Sequence, residues 1–253
     1  MNMKHNNDTV KNMSAGYSQS FMQYTQIKYV RELIAAVILF ALVSCGYALV
    51  TWYQKSNNVQ AFAGLVEISK SYEKSLEAAR KQQELPESEQ VENPFEDTEL
   101  LLEAIAKQHT GSSLSPFFVF YQADLVLQKE GDLAQAITLM KKGLAQLPKK
   151  SIYYDMFNLK LIKMSLDSKD EAVAASAVQD LKLMADNNEN YYYQDALHTL
   201  ALYQASQGDM SAAIVSWKKL AITQADKALV PSPFVAQAQE KLKSLHIDMN
   251  VSN

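Results

Sequence analysis

The sequence GDLAQAI at residues 131–137 recurs in similar form as GDMSAAI at residues 208–214. The glycine of each motif can take the left-handed conformation that ends a helix. The aspartate that follows is a good N-cap residue, so each motif predicts a tight turn between two helices. Ala136 and Ala213 stand where the two helices of such a hairpin approach closely. Each motif therefore predicts a helical hairpin.

A third, degenerate copy lies between these two. It consists of a predicted helix over 151–166, a turn over 167–170, and a second helix in which Ala174 takes the place of the close-contact alanines. The three turns are spaced by about 38 and 39 residues, so the predicted array is irregular. The chain has only seven glycines and six prolines and little β-type alternation, which predicts an all-α fold of long helices with short turns.

These copies resemble the tetratricopeptide repeat (TPR), a helix-turn-helix of about 34 residues that stacks into a solenoid. The matching positions in the first copy are Phe120, Gly131, Leu133, Ala136, Met140, Gly143 and Pro148. The matching positions in the last copy are Leu200, Ala201, Gly208, Met210, Ala213 and Trp217. The resemblance implies an irregular TPR-like helical-hairpin solenoid. Its structural repeat positions are Gly131, Ala136, Ala174, Gly208, Ala213 and Trp217.

Upstream of the repeats, residues 33–54 (LIAAVILFALVSCGYALVTWYQ) carry no charge. As a helix this segment would be about 33 Å long, close to the ~30 Å hydrocarbon core of a bilayer. Tyr29, Trp52 and Tyr53 stand at its ends, where aromatic side chains meet lipid headgroups. We expect a transmembrane helix over 32–54; the alternative is a buried core helix.

Charge is distributed unevenly around the apolar segment. Residues 1–31 hold four basic residues and one acidic residue, whereas the remainder holds 20 basic and 27 acidic residues. The basic flank predicts that the N-terminus stays in the cytoplasm. The acidic remainder argues against nucleic-acid binding, which needs a basic face. Residues 1–25 show no periodicity and are expected to be a disordered tail.

The single cysteine, Cys45, lies in the sequence LVSCG at residues 42–46, which looks like a bacterial lipoprotein lipobox. If it is one, the preceding segment is removed and Cys45 carries lipid. However, the apolar run continues past Cys45, and a long segment ending in Glu32 precedes it, which is unfavourable for a cleaved signal. We expect Cys45 to be unmodified, with lipidation as the alternative.

The helical pattern continues beyond the apolar segment to about Gln83, and residues 85–97 form a linker rich in proline and carboxylates. Ser115 and Ser232 each precede a proline and are expected to be helix N-caps. A last helix ending near His246 closes the array. The predicted domains are a cytoplasmic tail (1–31), a transmembrane anchor (32–54), an exit helix with linker (55–97) and a TPR-like helical domain (98–253).

No residue pattern predicts catalysis. The chain contains four histidines, His5, His109, His198 and His246, and none lies at the spacing of a helical metal pair. Residues 71–74 and 216–219 match an S-x-x-K spacing, but no accompanying motif is present. We therefore expect neither an enzyme nor a bound cofactor, metal ion or small-molecule substrate.

The tyrosines predict a binding surface. In a solenoid the first helices of the hairpins, here predicted over 116–129, 151–166 and 191–207, line a groove. Tyrosine is a frequent anchor in protein interfaces. The residues expected to contact a partner protein in this groove are Tyr121, Tyr154, Tyr192 and Tyr193. The alternative is that most of these tyrosines fill contacts between repeats.

The whole layout resembles single-pass inner-membrane TPR-like proteins that are ancillary subunits of the bacterial Sec translocon. That resemblance implies a periplasmic C-terminal domain and a scaffold or chaperone-type role. It also implies Sec translocon subunits and a membrane-anchored, prolyl-isomerase-like chaperone as partners. Two alternatives remain: a structural, self-associating membrane subunit, and a lipid-anchored TPR lipoprotein in envelope assembly.

Overall fold

The computed structural model describes the backbone of residues 7–82, 93–223 and 232–247, and the side chains of these ranges from Ile38 onward except that of Glu130. Within these ranges the chain forms nine helices and no strand, so the predicted all-α fold is confirmed. The helices are α1 (Asn7–Gln82), α2 (Glu96–Gln108), α3 (Ser115–Glu130), α4 (Leu133–Leu144), α5 (Ile152–Leu166), α6 (Glu171–Asp186), α7 (Tyr193–Ser206), α8 (Met210–Ile222) and α9 (Pro233–Ser244).

Helix α1 is longer than the sequence pattern predicts. It begins at Asn7, so the expectation of a disordered tail over residues 1–25 is wrong from Asn7 onward. This segment contains no proline, and each residue that extends an existing helix adds a hydrogen bond without a new nucleation cost. The helix ends at Gln82, one residue before the predicted end.

The predicted anchor over 32–54 begins outside the residues whose side chains are described. From Ile38 onward, no helix of the described chain has a stretch both long and apolar enough to cross a membrane. The side chains of the predicted cytoplasmic tail (1–31) and residues 83–92, which include most of the predicted linker, also lie outside the described residues.

The chain divides into two compact units, Met1–Val59 and Gln60–Asn253. In the second unit, α2 to α9 each pack on their neighbours in sequence, and α7 also contacts α9. Packing mainly between helices that are adjacent or next-adjacent in sequence is consistent with a helical solenoid. The part of α1 in this unit joins α2 and α3 in an apolar cluster that includes Ile68, Leu102 and Phe118.

The two predicted glycine turns are present. Gly131 has φ 65° and Gly208 has φ 81°, both in the left-handed region that favours glycine. Asp132 and Asp209 each accept a hydrogen bond from the backbone N–H three residues later, at 2.9 and 3.0 Å. Each glycine therefore ends one helix and each aspartate caps the next, as predicted.

The two serine–proline starts differ. Ser232 caps α9, because its Oγ accepts a hydrogen bond from the backbone N–H of Val235 at 3.3 Å. Ser115 does not cap α3, so that prediction is wrong: the N-cap is Leu114 and Ser115 is the first helical residue. The preceding turn is itself closed by a hydrogen bond from the Ser115 N–H to the Ser112 carbonyl at 3.1 Å, which starts the helix one residue early.

The α5–α6 hairpin departs from the other two at its close contact. Asp170 caps α6, but Ala174 is only half-buried, and the first buried alanine of α6 is Ala177. The assignment of Ala174 to the close contact is therefore wrong. The connection between α5 and α6 is longer than the glycine turns, so α6 meets α5 about one helical turn later than α4 meets α3.

Among the residues that the structure describes, the core consists of three apolar clusters that follow one another along the chain. The first joins α1, α2 and α3. The second joins α3, α4 and α5, and in it Phe120 stacks on Phe157 with ring centroids 3.7 Å apart. The third joins α5 to α9 and contains Trp217. Successive clusters share a helix, so the hairpins are held together as a continuous array.

Ala136 and Ala213 are both fully buried between the helices of their hairpins. Replacing either by leucine is expected to lower the free energy of unfolding by about 1–3 kcal/mol, because added methylenes overpack a filled contact. Urea denaturation followed by circular dichroism measures this. Ala134→Leu, on the exposed side of α4, is the matched control and should change stability little. Equal stabilities of Ala136→Leu and Ala134→Leu would contradict the prediction.

Candidate functional site

Ion pairs connect the first helices of the three hairpins, α3, α5 and α7. Lys160 on α5 contacts Asp124 on α3, with 2.6 Å between Nζ and Oδ2. Lys163 on α5 contacts Asp195 on α7, with 2.7 Å between Nζ and Oδ1. We call these four residues the lysine–aspartate chain, and the side of α3, α5 and α7 that carries them the first-helix face.

The lysine–aspartate chain is built from one helical spacing. Lys160 and Lys163 are three residues apart on α5, so both extend from the same side of that helix towards opposite neighbours. The aspartate side chains are 19% and 18% exposed, whereas the lysine side chains are 40% and 42% exposed. The aspartate side chains are therefore largely covered, and the lysine side chains keep part of their surface for a partner.

Within the lysine–aspartate chain, Asp195 has the most complete set of hydrogen bonds. Both of its carboxylate oxygens accept hydrogen bonds from Lys163, at 2.7 and 2.9 Å. The hydroxyl of Thr199 also contacts Oδ1 at 3.2 Å. Partly exposed pairs of this kind contribute only about 0–1 kcal/mol each to stability. They also join neighbouring hairpins, since a largely covered carboxylate left without its partner would carry a desolvation cost.

Two tyrosines adjoin the α3 end of the first-helix face. Tyr72 of α1 packs edge-on against Tyr121 of α3, with ring centroids 5.9 Å apart. Burial, with smaller contributions from Asp124 and Tyr121, raises the pKa of Tyr72 to about 12. The phenol therefore stays protonated over the physiological pH range and keeps its O–H as a hydrogen-bond donor.

His198 lies on α7 beside the lysine–aspartate chain. Its ring centroid is 5.7 Å from that of Phe234 on α9, and its Nδ1 is buried without a hydrogen-bond partner among the described residues. Burial lowers the pKa of His198 below its ordinary value; Asp195 opposes this shift and Lys163 adds to it. The neutral imidazole is therefore the form that fits the contact between α7 and α9.

This lowered pKa predicts a pH dependence of stability. As the pH falls, the unfolded chain binds a proton at His198 before the folded chain does. The stability contributed by the neutral imidazole is therefore present above about pH 6.5 and is lost as the pH falls through the folded-state pKa. We expect the wild-type chain to lose more stability between about pH 7.5 and about pH 5.5 than His198→Gln, measured by urea denaturation. Equal losses would contradict the prediction.

The structure places the four tyrosines predicted to line the groove mainly in packing contacts. Tyr121, Tyr154 and Tyr192 are half-buried and pack against the apolar clusters. Tyr193 is only 7% exposed, and the Nζ of Lys219 lies 5.8 Å from its ring centroid. Its burial leaves Tyr193 almost no surface for a partner, whereas the other three keep part of their surface.

The accessible tyrosines are neighbours of the predicted ones. Tyr153 is 51% exposed at the start of α5, and Tyr191 is 75% exposed just before α7. Tyr153 packs edge-on against Phe117 with ring centroids 5.3 Å apart, so its position is fixed while half its surface stays free. These two side chains are better candidates for aromatic anchors than Tyr193.

Sequence reasoning missed Lys160, Lys163 and Asp195. The available signal was spacing: Asp124 and Lys160 are 36 residues apart, and Lys163 and Asp195 are 32 apart. Both separations are close to one repeat, which places opposite charges at similar heights on consecutive first helices.

The first-helix face offers charged head groups and tyrosine surfaces for non-covalent contacts. Over the part of the chain that the structure describes, no group of three or more histidine, cysteine, aspartate or glutamate side chains is arranged to hold a metal ion. Comparison of the chain with protein-family models, with characterised proteins and with solved structures finds no match.

Proposed function

We propose that this chain is a membrane-tethered, irregular TPR-like scaffold that binds partner proteins through its first-helix face. The observation that supports this function is the lysine–aspartate chain. It presents partly exposed lysine side chains beside tyrosine surfaces, and protein interfaces combine aromatic contacts with a polar, hydrogen-bonding rim. Covered carboxylates hold the lysines in position before a partner arrives, which lowers the ordering cost of binding.

Helix α1 supports the membrane tether. Large apolar side chains from Ile38 to Tyr53 are exposed in the structure. A contiguous apolar surface of this kind is normally covered by lipid or by protein. In the proposed function a bacterial inner membrane covers it, the N-terminus lies in the cytoplasm, and the repeat unit lies in the periplasm. A tether also raises the local concentration of other proteins held at the same membrane.

The proposed partners are Sec translocon subunits and a periplasmic prolyl-isomerase-like chaperone, and the proposed role is to assist protein export or folding. A second candidate function is that of a self-associating structural subunit. The same exposed row on α1 favours it, because copies of the chain can cover each other's apolar side chains. The two functions differ in what lies against the first-helix face.

Photo-crosslinking in intact bacteria distinguishes them. A photo-reactive amino acid is placed at Tyr153 or Tyr191 in the full chain, with Leu183 on α6 as the control position because it is also exposed. The scaffold predicts adducts with Sec subunits or a periplasmic chaperone from Tyr153 and Tyr191 but not from Leu183. Adducts only between copies of this chain would favour the self-associating subunit.

A matched pair of variants ties the crosslinks to the lysine–aspartate chain. Lys160→Met together with Lys163→Met removes both ammonium groups and retains most of the side-chain length. Lys182→Met makes the same change at an exposed position on α6. We expect the double variant to reduce the heterologous adducts severalfold and the control to leave them unchanged. Adducts that are insensitive to the double variant would contradict a role for the first-helix face.

The proposed membrane tether predicts the chemical state of Cys45, which is exposed on α1. Since the apolar run extends past Cys45 on both sides, we expect the mature protein to retain residues 1–44 and an unmodified thiol. Intact-mass measurement of membrane-extracted protein tests this. A mature species that begins at Cys45 with added acyl mass would make the protein a lipid-anchored one.

A further inference from the structure

A basic patch lies at the start of α5. Residues 141–155 hold four lysines and one acidic residue, although the whole chain has a formal net charge of −4. Lys149 and Lys150 are exposed in a turn that is closed by a hydrogen bond from the Ser151 N–H to the Pro148 carbonyl at 2.9 Å. The turn therefore presents two adjacent lysine side chains to the solvent.

The positive charge of this patch is not neutralised by its neighbours. Among the described residues, Lys141, Lys142, Lys149 and Lys150 form no ion pair. The first turn of α3, which contacts the start of α5, contains no acidic residue. The one acidic residue of the stretch is Asp155, in the first turn of α5. The patch therefore keeps a net positive charge that is available to a partner.

Two apolar side chains adjoin the exposed lysines. Ile152 is 43% exposed and Tyr153 is 51% exposed. The Tyr153 ring is held on one side by Phe117, so its free surface has a fixed position. Tyr153 lies about two helical turns before Lys160 and hence on the same side of α5, which makes the patch continuous with the first-helix face. We call these exposed residues the basic corner: Lys149, Lys150, Ile152 and Tyr153.

We infer that the basic corner binds an acidic segment of a partner protein, with carboxylates at Lys149 and Lys150 and an apolar side chain against Ile152 and Tyr153. This inference rests on the proposed scaffold function and specifies the chemistry of the partner at the first-helix face. Charge complementarity selects the acidic segment, and a positioned tyrosine is a frequent anchor of protein interfaces.

The charge of the rest of the chain favours a short protein segment over an extended anionic surface. At physiological ionic strength, charges interact over about 8 Å, so a short segment at the basic corner meets mainly its positive charge. A bilayer surface or a nucleic acid would also lie against acidic parts of the chain, which repel it. The occupant that fits is therefore small, acidic and partly apolar.

The test uses the full chain in lipid nanodiscs and three labelled short peptides. The peptides share a central pair of leucines and differ only in the flanking residues, which are glutamates, glutamines or lysines. Fluorescence anisotropy, corrected with empty nanodiscs, gives their affinities. We expect the glutamate peptide to bind at least about tenfold more tightly than the glutamine peptide, and the lysine peptide to bind most weakly.

Charge-reversal variants test the location. Lys149→Glu with Lys150→Glu should weaken binding of the glutamate peptide at least about tenfold and should favour the lysine peptide. Lys169→Glu with Lys182→Glu makes the same change in net charge at exposed positions outside the corner, and should leave the affinities unchanged. Equal binding of the three peptides to the wild-type chain, or equal effects of the two double variants, would overturn the inference.

A photo-reactive amino acid at Ile152 tests for a lipid occupant. In nanodiscs that contain anionic lipid, we expect adducts with the glutamate peptide. Adducts with lipid alone would overturn the inference and assign the basic corner to the bilayer surface.

Cellular crosslinks separate this inference from the proposed function. Lys149→Glu with Lys150→Glu should reduce heterologous adducts from Tyr153 severalfold and leave those from Tyr191 unchanged. If heterologous adducts form at both positions but are insensitive to this variant, the scaffold function stands and the inference fails. If no heterologous adducts form in cells while the charge-dependent peptide binding persists, the scaffold function fails and the basic corner still binds acidic segments.

Discussion

Trp217→Ala is expected to lower the free energy of unfolding by about 3–5 kcal/mol, the largest loss of any substitution considered for this chain. Trp217 is fully buried in the cluster that joins α5 to α9. Its replacement removes the whole indole from a filled contact and leaves a cavity that the surrounding helices can close only in part. Urea denaturation of the purified chain, followed by far-ultraviolet circular dichroism, measures the loss.

Two further variants make this result specific. Leu183→Ala removes a large apolar side chain that is 71% exposed, so it should change stability little. Trp217→Phe retains an aromatic ring and removes an indole N–H that is buried without a partner among the described residues. It should therefore lose much less stability than Trp217→Ala. A Trp217→Ala loss no larger than that of Leu183→Ala would show that the last hairpins do not pack around this residue.

Gly143→Ala is expected to lower the free energy of unfolding by about 1–3 kcal/mol, although alanine has a higher helix propensity than glycine by about 1 kcal/mol. A Cβ at residue 143 would overlap the ring of Phe120, whose Cδ1 and Cζ atoms would lie 2.7 and 2.9 Å away. Phe120 cannot move freely, since it is 2% exposed and stacked on Phe157. The steric term therefore outweighs the propensity term.

The chain provides a matched control for this glycine. A Cβ at Gly111 would meet no atom within 4 Å, so Gly111→Ala should be neutral or slightly stabilising in the same denaturation assay. Combining Gly143→Ala with Phe120→Leu should recover part of the loss caused by the alanine, because a smaller side chain makes room for it. If the Gly143→Ala variant is as stable as the wild type, α3 and α4 do not approach each other closely at residue 143.

The features that sequence reasoning predicted correctly are short-range. A glycine followed by an aspartate determines a helix end and the next helix start within four residues, so the turns at Gly131 and Gly208 were readable without knowledge of the fold. The buried positions Ala136 and Ala213 follow from those turns by helical spacing. The N-cap expected at Ser115 failed for an equally local reason, because the preceding turn already has helical hydrogen bonding.

The features that sequence reasoning missed depend on how helices are placed beside each other. Ala174 was assigned by analogy with the glycine hairpins, but the longer α5–α6 connection shifts the contact to Ala177. The pairing of Lys163 with Asp195 requires that α5 and α7 lie side by side at a fixed height, which periodicity within one helix does not specify. Tyr193 was assigned to the groove because tyrosine is a frequent interface anchor, but the structure buries it.

The neighbour-to-neighbour packing of α2 to α9 allows this protein to fold hairpin by hairpin during synthesis. Helices α3 and α4 are separated by two residues and contact each other directly, so this hairpin can close before α7 to α9 have been delivered. Each later hairpin then folds on the surface left by the previous one. The growing chain therefore has an uncovered apolar edge at every stage, and only the arrival of α9 against α7 and α8 covers the last of them.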